Sequence, residues 1–542
     1  MKITKVVMLV IWVLGLALGL SFSGAWGLER VLYYSTGSTA HPDPHMGTGY
    51  VDTTVYINSY DSLVRPGKDY KVGPHIATDW TVSDDRLTFT FNLRKGVLFH
   101  DSSELTAEDV AFSMTRLIKL GRGFSFLFRD LVESVEATDK YTVRFKLKRQ
   151  FGPFVSTLIR FFIVNKKCIL ANKKPGDFGE FGDYGVGYLM NGGDCGSGPY
   201  KITGFVAQSH VHAEKFPKYW QGFAPNAPDR IEQTLLIDPT ALKTKMKLRE
   251  LDISSMWMPT EWYADVDKIE GIDIAYVPTF TQCYLQMNNQ KPPLDDIHFR
   301  KALAWAFDYK SVVEHILPAS KQAVGSVPGR IVGHNPNVYQ YRQDLKKAEE
   351  ELKKSKYYKE LKKYMPIELV WLNTMPSEEK IGLLMKRDAA KIGIDVELIK
   401  EPWVRIIEEV SNVNTTRHVY AIFVSADYPE AISLLYTKWH SKATGKWSQS
   451  EWLQNPEVDK MIDDALSTFD TEERINKSKK LQEKIVDLAP SIFLVDNVEM
   501  HAYQSGCIDW PKEVRENPIM GYAYEARLIS VYPEKREELR KK

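Results

Sequence analysis

Alternating apolar and polar positions predict two β-strands early in the chain. The segment 87–93 (LTFTFNL) places its leucines and phenylalanines on one face, and the segment 141–147 (YTVRFKL) alternates in the same way. Successive side chains of a strand point to opposite faces, so a period of two residues is typical of a half-buried strand. Both segments are therefore predicted to be strands with one buried face.

Apolar positions at helical spacing predict a capped helix between these strands. The hydroxyl of Thr106 can cap the first turn, and Asp109 three residues on completes a capping box. Val110, Met114 and Leu117 then form a buried stripe at helical spacing. Further helices are predicted over 295–309, where acidic residues offer N-caps, and over 346–363, 376–392 and 455–487.

The order of these elements favours an α/β protein with several lobes. The predicted helix 376–392 leads through Gly393 into the strand 394–399 (IDVELI), a helix-to-strand unit of α/β type. A chain of 542 residues exceeds one compact core and suggests roughly three structural units. No repeat or low-complexity linker separates them, so domains built from discontinuous segments are expected. The basic tail after Pro533 is expected to fray.

Composition and charge indicate an ordinary globular protein and disfavour nucleic acid as a partner. Hydrophobic residues make up 44% and charged residues 26% of the chain, as in ordinary globular proteins. The 71 basic and 70 acidic side chains nearly cancel. Without a broad cationic field, nucleic acid is not an expected partner.

The N-terminal segment indicates export from the cytoplasm. Two lysines precede an apolar run over 6–20, and the small-residue segment 21–27 (SFSGAWG) follows. This pattern predicts a signal peptide over 1–27, cleaved after Gly27. An uncleaved anchor is the alternative. No cysteine follows the run for lipid attachment, so a periplasmic or extracellular protein is expected.

The four cysteines would then lie in a compartment that permits disulfides. Cys168 and Cys195 bracket a glycine-rich loop and are the favoured pair, although buried free thiols are an open alternative. Cys283 and Cys507 complete the set. No C-x-x-C spacing occurs, which disfavours a zinc cluster.

Histidines and carboxylates raise catalytic and metal hypotheses that the pattern does not favour. His100 and Asp101 are adjacent on an extended segment and point to opposite sides, a poor geometry for acid–base work. The pairs His210/His212 and His41/His45 are weak metal candidates, the second on a segment, HPDPH, expected to be irregular and exposed. The chain lacks a P-loop, an H-E-x-x-H and a G-x-S-x-G motif. No catalytic residue, metal or cofactor is therefore expected.

A tryptophan cluster offers a possible stacking surface. Trp439, Trp447 and Trp452 lie within fourteen residues in a segment rich in serine, lysine and glycine. An exposed indole ring would suit ligand stacking, whereas packing in the core is the alternative for each ring.

Several motifs in fixed order resemble the family 5 extracellular solute-binding proteins, the peptide/nickel class that serves ABC importers. The segment 78–117 matches the family's pattern of an "ATDW" element, a Ser-Asp-Asp turn, "FTLRKGVKFHDG" and "LTAEDV", with Ser102-Ser103 replacing a Gly-containing turn. The remaining motifs are similar to "GTGPY", "PFDDVRVRQALAYAID", "LQADLKKIGIKVEI" and "NPEVDKLLDEA", and they occur at 196–202, 293–308, 383–399 and 455–466.

The resemblance implies a two-lobed, three-domain α/β fold that closes on its ligand by a hinge. Domain I would combine 28–72, 196–282 and 499–542. Domain II would be the insertion 73–195, and domain III would be 283–498.

The resemblance also implies a ligand anchor. The segment 421–435 resembles the family's "GWxADYPDPxNFL", in which the aspartate pairs with a peptide's α-ammonium; only Asp427 falls on that position. Val424, Ser425 and Ala426 would form the strand that pairs with the peptide backbone. The alternative for Asp427 is a turn residue. Glu430-Ala431 in place of Asp-Pro, and Val424 in place of tryptophan, depart from the family pattern.

The sequence thus predicts a monomeric, extracytoplasmic binding protein that delivers peptides to an ABC permease and performs no catalysis. The second ligand class is a β-linked oligosaccharide stacked on Trp439 and Trp447, and nickel ranks third. A secreted hydrolase is the alternative from a different class.

Overall fold

The computed structural model describes residues 28–67 and 71–542, so the expected signal peptide, 1–27, lies outside the described residues. Mixed strands and helices alternate along the chain. The strands are β1 (Val31–Thr36), β2 (Val64–Pro66), β3 (Val72–Pro74), β4 (Ala77–Val82), β5 (Thr88–Leu93), β6 (Val132–Asp139), β7 (Thr142–Leu147), β8 (Tyr200–Val206), β9 (His210–Lys215), β10 (Arg230–Leu235), β11 (Asp273–Met287), β12 (Lys321–Gln322), β13 (Ile367–Leu372), β14 (Val396–Glu401), β15 (Val419–Ser425), β16 (Ser491–Tyr503), β17 (Ile508–Asp509) and β18 (Ser530–Val531).

The helices cover the faces and ends of the sheets. Those of seven residues or more are Tyr50–Ser59, Ala107–Leu120, Pro239–Lys247, Thr260–Val266, Ile297–Ala306, Leu345–Lys354, Pro376–Ala390, Trp403–Val410, Ala431–Trp439, Pro456–Ser467, Thr471–Leu488 and Pro533–Lys541. The shorter α-helices are Phe154–Thr157, Lys166–Ala171, Val186–Leu189, Tyr309–Ser311 and Lys512–Arg515.

Three larger sheets organise the molecule. The first has the order β1-β10-β9-β8, the second β4-β5-β7-β6, and the third, with six strands, β12-β16-β11-β15-β13-β14. The second sheet is antiparallel throughout, whereas the first and third contain parallel pairs. The pairs β2-β3 and β17-β18 form two small sheets.

A long antiparallel ribbon connects the first and third sheets. β11 and β16 pair from Asp273 opposite Tyr503 to Gln286 opposite Ser491. At one end, Tyr503 bridges Ile253, which in turn bridges Tyr34 of β1. At the other end the ribbon forms part of the six-stranded sheet. β11 runs across the expected domain boundary at 282/283, and β16 runs across the expected boundary at 498/499.

The locally patterned elements are confirmed. β5 and β7 occupy the two alternating segments, and β5 buries Phe89, Phe91 and Leu93. The carboxylate of Asp109 accepts hydrogen bonds of 2.9 Å from both the backbone amide and the hydroxyl of Thr106, which forms the expected capping box. These features depend on residues a few positions apart, which is why the sequence predicts them well.

Three expectations are corrected by the structure. The helix expected over 455–487 is two helices, because Asp470 accepts a hydrogen bond from the amide of Glu473 and starts a second one. The C-terminal tail is a helix anchored by Arg536, which pairs with the buried Asp252 at 2.7 Å. The segment HPDPH is not exposed at Asp43 and His45, because both side chains are buried against the guanidinium of Arg116.

The favoured disulfide is confirmed. Cys168 and Cys195 are bonded, with a sequence separation of 27 and a Cα–Cα distance of 5.7 Å. The other two cysteines, Cys283 and Cys507, are free and buried. Over 28–67 and 71–542, no helix has the length and apolar character needed to cross a membrane.

Candidate functional site

The end of β15 has one face packed in the core and one partly exposed face that carries polar side chains. Val424 and Ala426 are 1% and 3% exposed and point into the core, whereas Phe423, Ser425 and Asp427 on the opposite face are only partly buried. This alternation follows from the two-residue period of an extended chain. Phe423, Ser425 and Asp427 therefore line one continuous surface.

One edge of this strand is paired and the other opens towards its end. Residues 419–425 of β15 pair with β11, and the amide of Ala426 continues the pairing by donating to the carbonyl of Phe280 at 3.1 Å. The hydroxyls of Ser425 and Thr281 share a hydrogen bond of 2.6 Å across this edge. On the other side β13 meets only Val419 and Tyr420. Residues 421–425 thus have no partner strand there among the described strands.

Asp427 holds a carboxylate that is poorly compensated. Its carboxylate accepts one side-chain hydrogen bond, of 3.3 Å, from the hydroxyl of Thr437, while its backbone amide donates to Ser433 at 3.0 Å. Burial raises the pKa of Asp427 to about 6, against the charges of Arg160 and Lys446 and the Thr437 hydrogen bond. The nearby cations therefore only partly stabilise the ionised carboxylate of Asp427, and a further cation at hydrogen-bond distance would stabilise it more.

Arg160 connects its own segment to the segment that holds Asp427 and to the segment that holds Met520. Its Nε donates to the carbonyl of Asp427 at 2.6 Å, and its Nη1 donates to the carbonyl of Met520 at 3.1 Å. The guanidinium lies 5.3 Å from the ring centroid of Phe124. The side chain is buried, which lowers its pKa, and its Nη2 has no hydrogen-bond partner among the described residues.

Two neighbouring cavities extend the surface beyond Phe423. The larger has a cavity volume of about 70 Å³ and the smaller about 20 Å³, and both are lined by Met256 and Trp257. The ring of Trp257 lies edge-on to Phe423, with 6.2 Å between the centroids. The smaller cavity reaches the segment Tyr34–Gly37 at the end of β1. A cleft thus runs between the four-stranded sheet that contains β1 and the six-stranded sheet.

The two tryptophans expected to stack on a ligand differ in their surroundings. Trp439 is 0% exposed and packs edge-on against Tyr284 and Phe493, so it offers no free ring face in this structure. Trp447 is partly buried and packs against Trp403 at 5.4 Å. Of the predicted site residues, Ser425 and Asp427 share the open face, Val424 and Ala426 contribute backbone there, and Trp439 lies in the core.

The acid–base candidates are part of the framework. His100 is bonded through Nδ1 to Asp194 at 2.6 Å and through Nε2 to the carbonyl of Gly198 at 2.9 Å. Burial opposes protonation of His100, but the Asp194 carboxylate raises its pKa. His210 and His212 stack on each other, and the described residues contain no cluster of three metal-ligating side chains.

Sequence reasoning missed three residues of the cleft, namely Arg160, Trp257 and Phe423. The alternation along 422–427 could have revealed Phe423 as a neighbour of Ser425 and Asp427 on one face. Arg160 and Trp257 come from segments more than 150 residues away, and nothing near them in the sequence marks them.

Comparison with known proteins identifies the family. Residues 71–446 match the family model described as bacterial extracellular solute-binding proteins, family 5. The chain belongs to this family. The resemblance seen in the sequence motifs is thereby confirmed, and the chain is a solute-binding protein of the ABC importer class, whose members bind without catalysing a reaction.

Relatives of this family 5 protein span nearly its full length. A probable D,D-dipeptide-binding periplasmic protein of Escherichia coli is 27% identical over 476 residues, which cover 84% of this chain and 87% of the relative. The dipeptide-binding protein of the same organism is 26% identical over 520 residues, covering 89% and 92%.

A solved structure shares the fold. The periplasmic binding protein DppA of Helicobacter pylori, in complex with the peptide STSA, superposes with a TM-score of 0.76 at 22% identity, covering 92% of this chain and 98% of that one. The two-lobed fold expected for family 5 is therefore present in this chain.

Proposed function

We propose that the solute of this binding protein is a peptide, held in the cleft with its α-ammonium on Asp427 and its backbone along residues 421–425. The observation that carries the proposal is a strand edge that no described strand pairs with and that ends at a partly buried, poorly compensated carboxylate. Both E. coli relatives are named for dipeptide substrates, which supports the same ligand class.

The backbone geometry favours an extended ligand. An extended peptide adds to an open strand edge through main-chain hydrogen bonds, which depend little on side chains. The paired edge of β15 already engages β11 as far as Ser425. A peptide on the opposite edge would complete the hydrogen bonds that β13 leaves unmade beyond Tyr420.

The charge of the site favours a ligand that carries an ammonium group. A carboxylate that loses water on burial is stabilised by a cation at hydrogen-bond distance, and such charge-assisted bonds are the stronger ones. A peptide supplies this cation at its N-terminus, where strand pairing also begins.

A sugar ligand has less support. Stacking on an indole ring requires a free ring face, and Trp439 has none. A nickel ion would need a cluster of ligating side chains, of which the described residues hold none with three members.

The proposal extends to organisation and location. Domain I would comprise 28–72, 196–282 and 499–542, domain II 73–195, and domain III 283–498, with the β11–β16 ribbon as the hinge between lobes. The chain would be exported through its segment 1–27 and work as a monomer that docks on its permease.

An experiment that combines one substitution in the protein with one modification of the peptide tests the ammonium anchor. Asp427→Asn should weaken binding of a free peptide by about 1 to 3 kcal/mol, because the ionic part of the bond is lost. The same variant should bind an N-acetylated peptide about as weakly as the native protein does. Isothermal titration calorimetry with both peptides and both proteins measures the coupling.

The exposed Asp84 provides a matched control. Asp84→Asn should leave both affinities unchanged. An equal loss for free and acetylated peptides in Asp427→Asn would contradict the anchor role, and binding of oligosaccharides with no binding of peptides would overturn the peptide assignment.

A further inference from the structure

Glu430 begins the helix Ala431–Trp439 without capping it. Position 430 is the N-cap of this helix, yet its side chain makes no capping hydrogen bond. Aspartate, asparagine and serine are preferred at an N-cap, because their short side chains reach the amides of the first turn. Glu430 and Ala431 stand where the family pattern has Asp-Pro. A typical capping residue is therefore replaced here by a longer carboxylate that points elsewhere.

The Glu430 carboxylate lies between two donors. Its Oε1 accepts a hydrogen bond of 2.7 Å from the hydroxyl of Ser156, and its Oε2 accepts one of 2.8 Å from Nε of Arg474. The side chains of Glu430 and Arg474 are 15% and 6% exposed, so their charges pair with little water around them. A charged acceptor makes the bond from Ser156 stronger than a bond between neutral groups.

A glycine brings two distant backbones together beside this carboxylate. The amide of Gly152 donates to the carbonyl of Leu466 at 2.7 Å. A Cβ atom at position 152 would lie 2.0 Å from the carbonyl oxygen of Thr468, far inside van der Waals contact. Gly152 does not have a positive φ. Glycine is thus required here by the approach of the neighbouring carbonyl and not by its own backbone conformation.

One short segment makes these contacts with the end of β15. Ser156 and Arg160 lie four residues apart on consecutive helical turns, so they share a face. Ser156 reaches the Glu430 carboxylate, and Arg160 reaches the carbonyl of Asp427. The segment 427–430, which holds the proposed anchor, is therefore contacted at both of its ends by the same helical face.

The contacts cross between the proposed lobes. With the β11–β16 ribbon as the hinge, domains I and II lie on one side of it and domain III on the other. Gly152 and Ser156 belong to domain II, whereas Glu430 and Arg474 belong to domain III. A contact between domains on opposite sides of a hinge is made when the lobes close and is lost when they open.

We infer that Gly152, Ser156, Glu430 and Arg474 form an interlobe clasp that holds the lobes closed in the absence of ligand. The inference goes beyond the proposed function, since it rests on the proposed domain boundaries and not on the ligand being a peptide. Because the clasp is made only in the closed arrangement, it shifts the equilibrium towards that arrangement by its own free energy. A ligand then enters through a less populated open state, which slows its association.

Hydrogen–deuterium exchange of the Gly152 amide measures the clasp in the unliganded protein. This amide is protected by the carbonyl of Leu466 and exchanges when the lobes part. Ser156→Ala removes the donor to Glu430 and should make the amide exchange about ten- to hundredfold faster, as expected for the loss of a hydrogen bond to a charged group. The amide of Ala426, which donates to a carbonyl of β11, should keep its native exchange rate.

Glu430→Asp separates closure of the lobes from stability of the fold. The aspartate is one methylene shorter, so it withdraws from Ser156 and can cap the first turn of its own helix. The Gly152 amide should exchange as fast as in Ser156→Ala, while the midpoint of thermal unfolding stays within about 3 °C of the native value. Ser467→Ala is the matched control: this hydroxyl donates within its own helix at 2.9 Å, and its loss should change neither quantity.

Gly152→Ala acts as a wedge at the same contact. The new Cβ would collide with the Thr468 carbonyl when the lobes meet, but it leaves each lobe able to fold. The radius of gyration of the unliganded variant, measured by small-angle X-ray scattering, should exceed that of the native protein. The amide at position 152 should lose its protection from exchange.

Two outcomes overturn the clasp. The first is native exchange of the Gly152 amide in both Ser156→Ala and Glu430→Asp. The second is a Gly152→Ala protein with a native radius of gyration and a lowered thermal midpoint, since the contact would then be permanent packing within one rigid body. Neither outcome bears on the peptide proposal, which calorimetry with free and acetylated peptides decides separately.

Discussion

At the scale of single residues, Asp427 combines burial with few hydrogen bonds. Among the described residues the hydroxyl of Thr437 is its one side-chain donor, and the nearby cations Arg160 and Lys446 only partly offset the cost of burial. Asp427 is therefore less stable as a carboxylate here than in water. A bound ammonium would reverse this, because it favours the ionised form.

The titration of Asp427 should make peptide binding depend on pH. Its pKa is about 6 in the unliganded protein and should fall when an ammonium lies beside it. Binding then releases a proton below pH 6, so affinity should be constant above about pH 7 and fall up to about tenfold per pH unit below 6. Calorimetric titrations from pH 8 to 5 measure this.

The Asp427→Asn variant is the control for this profile. Because the amide does not titrate, its affinity should remain flat over the same pH range. A native profile that is also flat would show that the Asp427 carboxylate does not contact the ligand's ammonium.

Residues differ in how well the sequence reveals them. Thr106 and Asp109 are three positions apart, and a capping box requires nothing beyond that spacing. Arg160 reaches Asp427 only through packing of segments 267 residues apart, so no local pattern could indicate the contact. The proposed anchor, Asp427, is indicated by a family motif rather than by its own physical surroundings.

At the scale of elements, the sequence predicts that a helix or strand is present better than it predicts the residues at which that element begins and ends. The alternating segments 87–93 and 141–147 became β5 and β7, because one buried face is enough to produce a two-residue period. The break between Pro456–Ser467 and Thr471–Leu488 was missed, although Asp470 followed by Glu473 is a recognisable start signal. The divergence of β13 from β15 beyond Tyr420 depends on tertiary packing and leaves no such signal.

The disulfide should stabilise the helix Lys166–Ala171 and the loop before β8. It closes a loop with a sequence separation of 27, for which chain entropy predicts about 3 to 4 kcal/mol. Replacing both Cys168 and Cys195 with alanine should lower the free energy of unfolding by up to that amount. The midpoint of urea unfolding, compared with that of the native protein with its disulfide intact, measures the loss.

The reduced native protein should unfold close to the double variant, since both lack the same cross-link. An unchanged midpoint in the double variant would mean that the loop is held by other contacts, such as the hydrogen bonds of Asp194 to His100 and Ile202.

At the scale of the whole molecule, Arg160 joins three distant segments. It donates to carbonyls at positions 427 and 520 and belongs itself to the segment before residue 195. The proposed domain boundaries assign these positions to three different domains. The guanidinium would thus hold the lobes in the closed arrangement.

Removing this connection should loosen the unliganded protein. Arg160→Met leaves two carbonyls without their donors and should lower the free energy of unfolding by about 1 to 3 kcal/mol. The radius of gyration from small-angle X-ray scattering should increase in the same variant, because the closed arrangement loses a fastening contact. Arg144→Met, at an arginine about half exposed in β7, is the control and should change neither quantity.

An unaltered radius of gyration in Arg160→Met, together with normal stability, would show that other contacts hold the lobes. Ser156, which donates to Glu430 at 2.7 Å, would then be the next position to examine.

The cysteine inventory makes this protein suitable for fluorescence measurements in its native sequence background. Two cysteines form the disulfide, and burial raises the pKa of Cys507 to about 11 and raises the pKa of Cys283 well above its ordinary value. Thiol-reactive dyes require an accessible thiolate. Cysteines introduced at Glu261 and Lys380, whose side chains pair at 2.9 Å, would therefore be labelled in preference to the native ones. Energy transfer in molecules that carry one donor and one acceptor dye would report changes in the distance between the helices Thr260–Val266 and Pro376–Ala390.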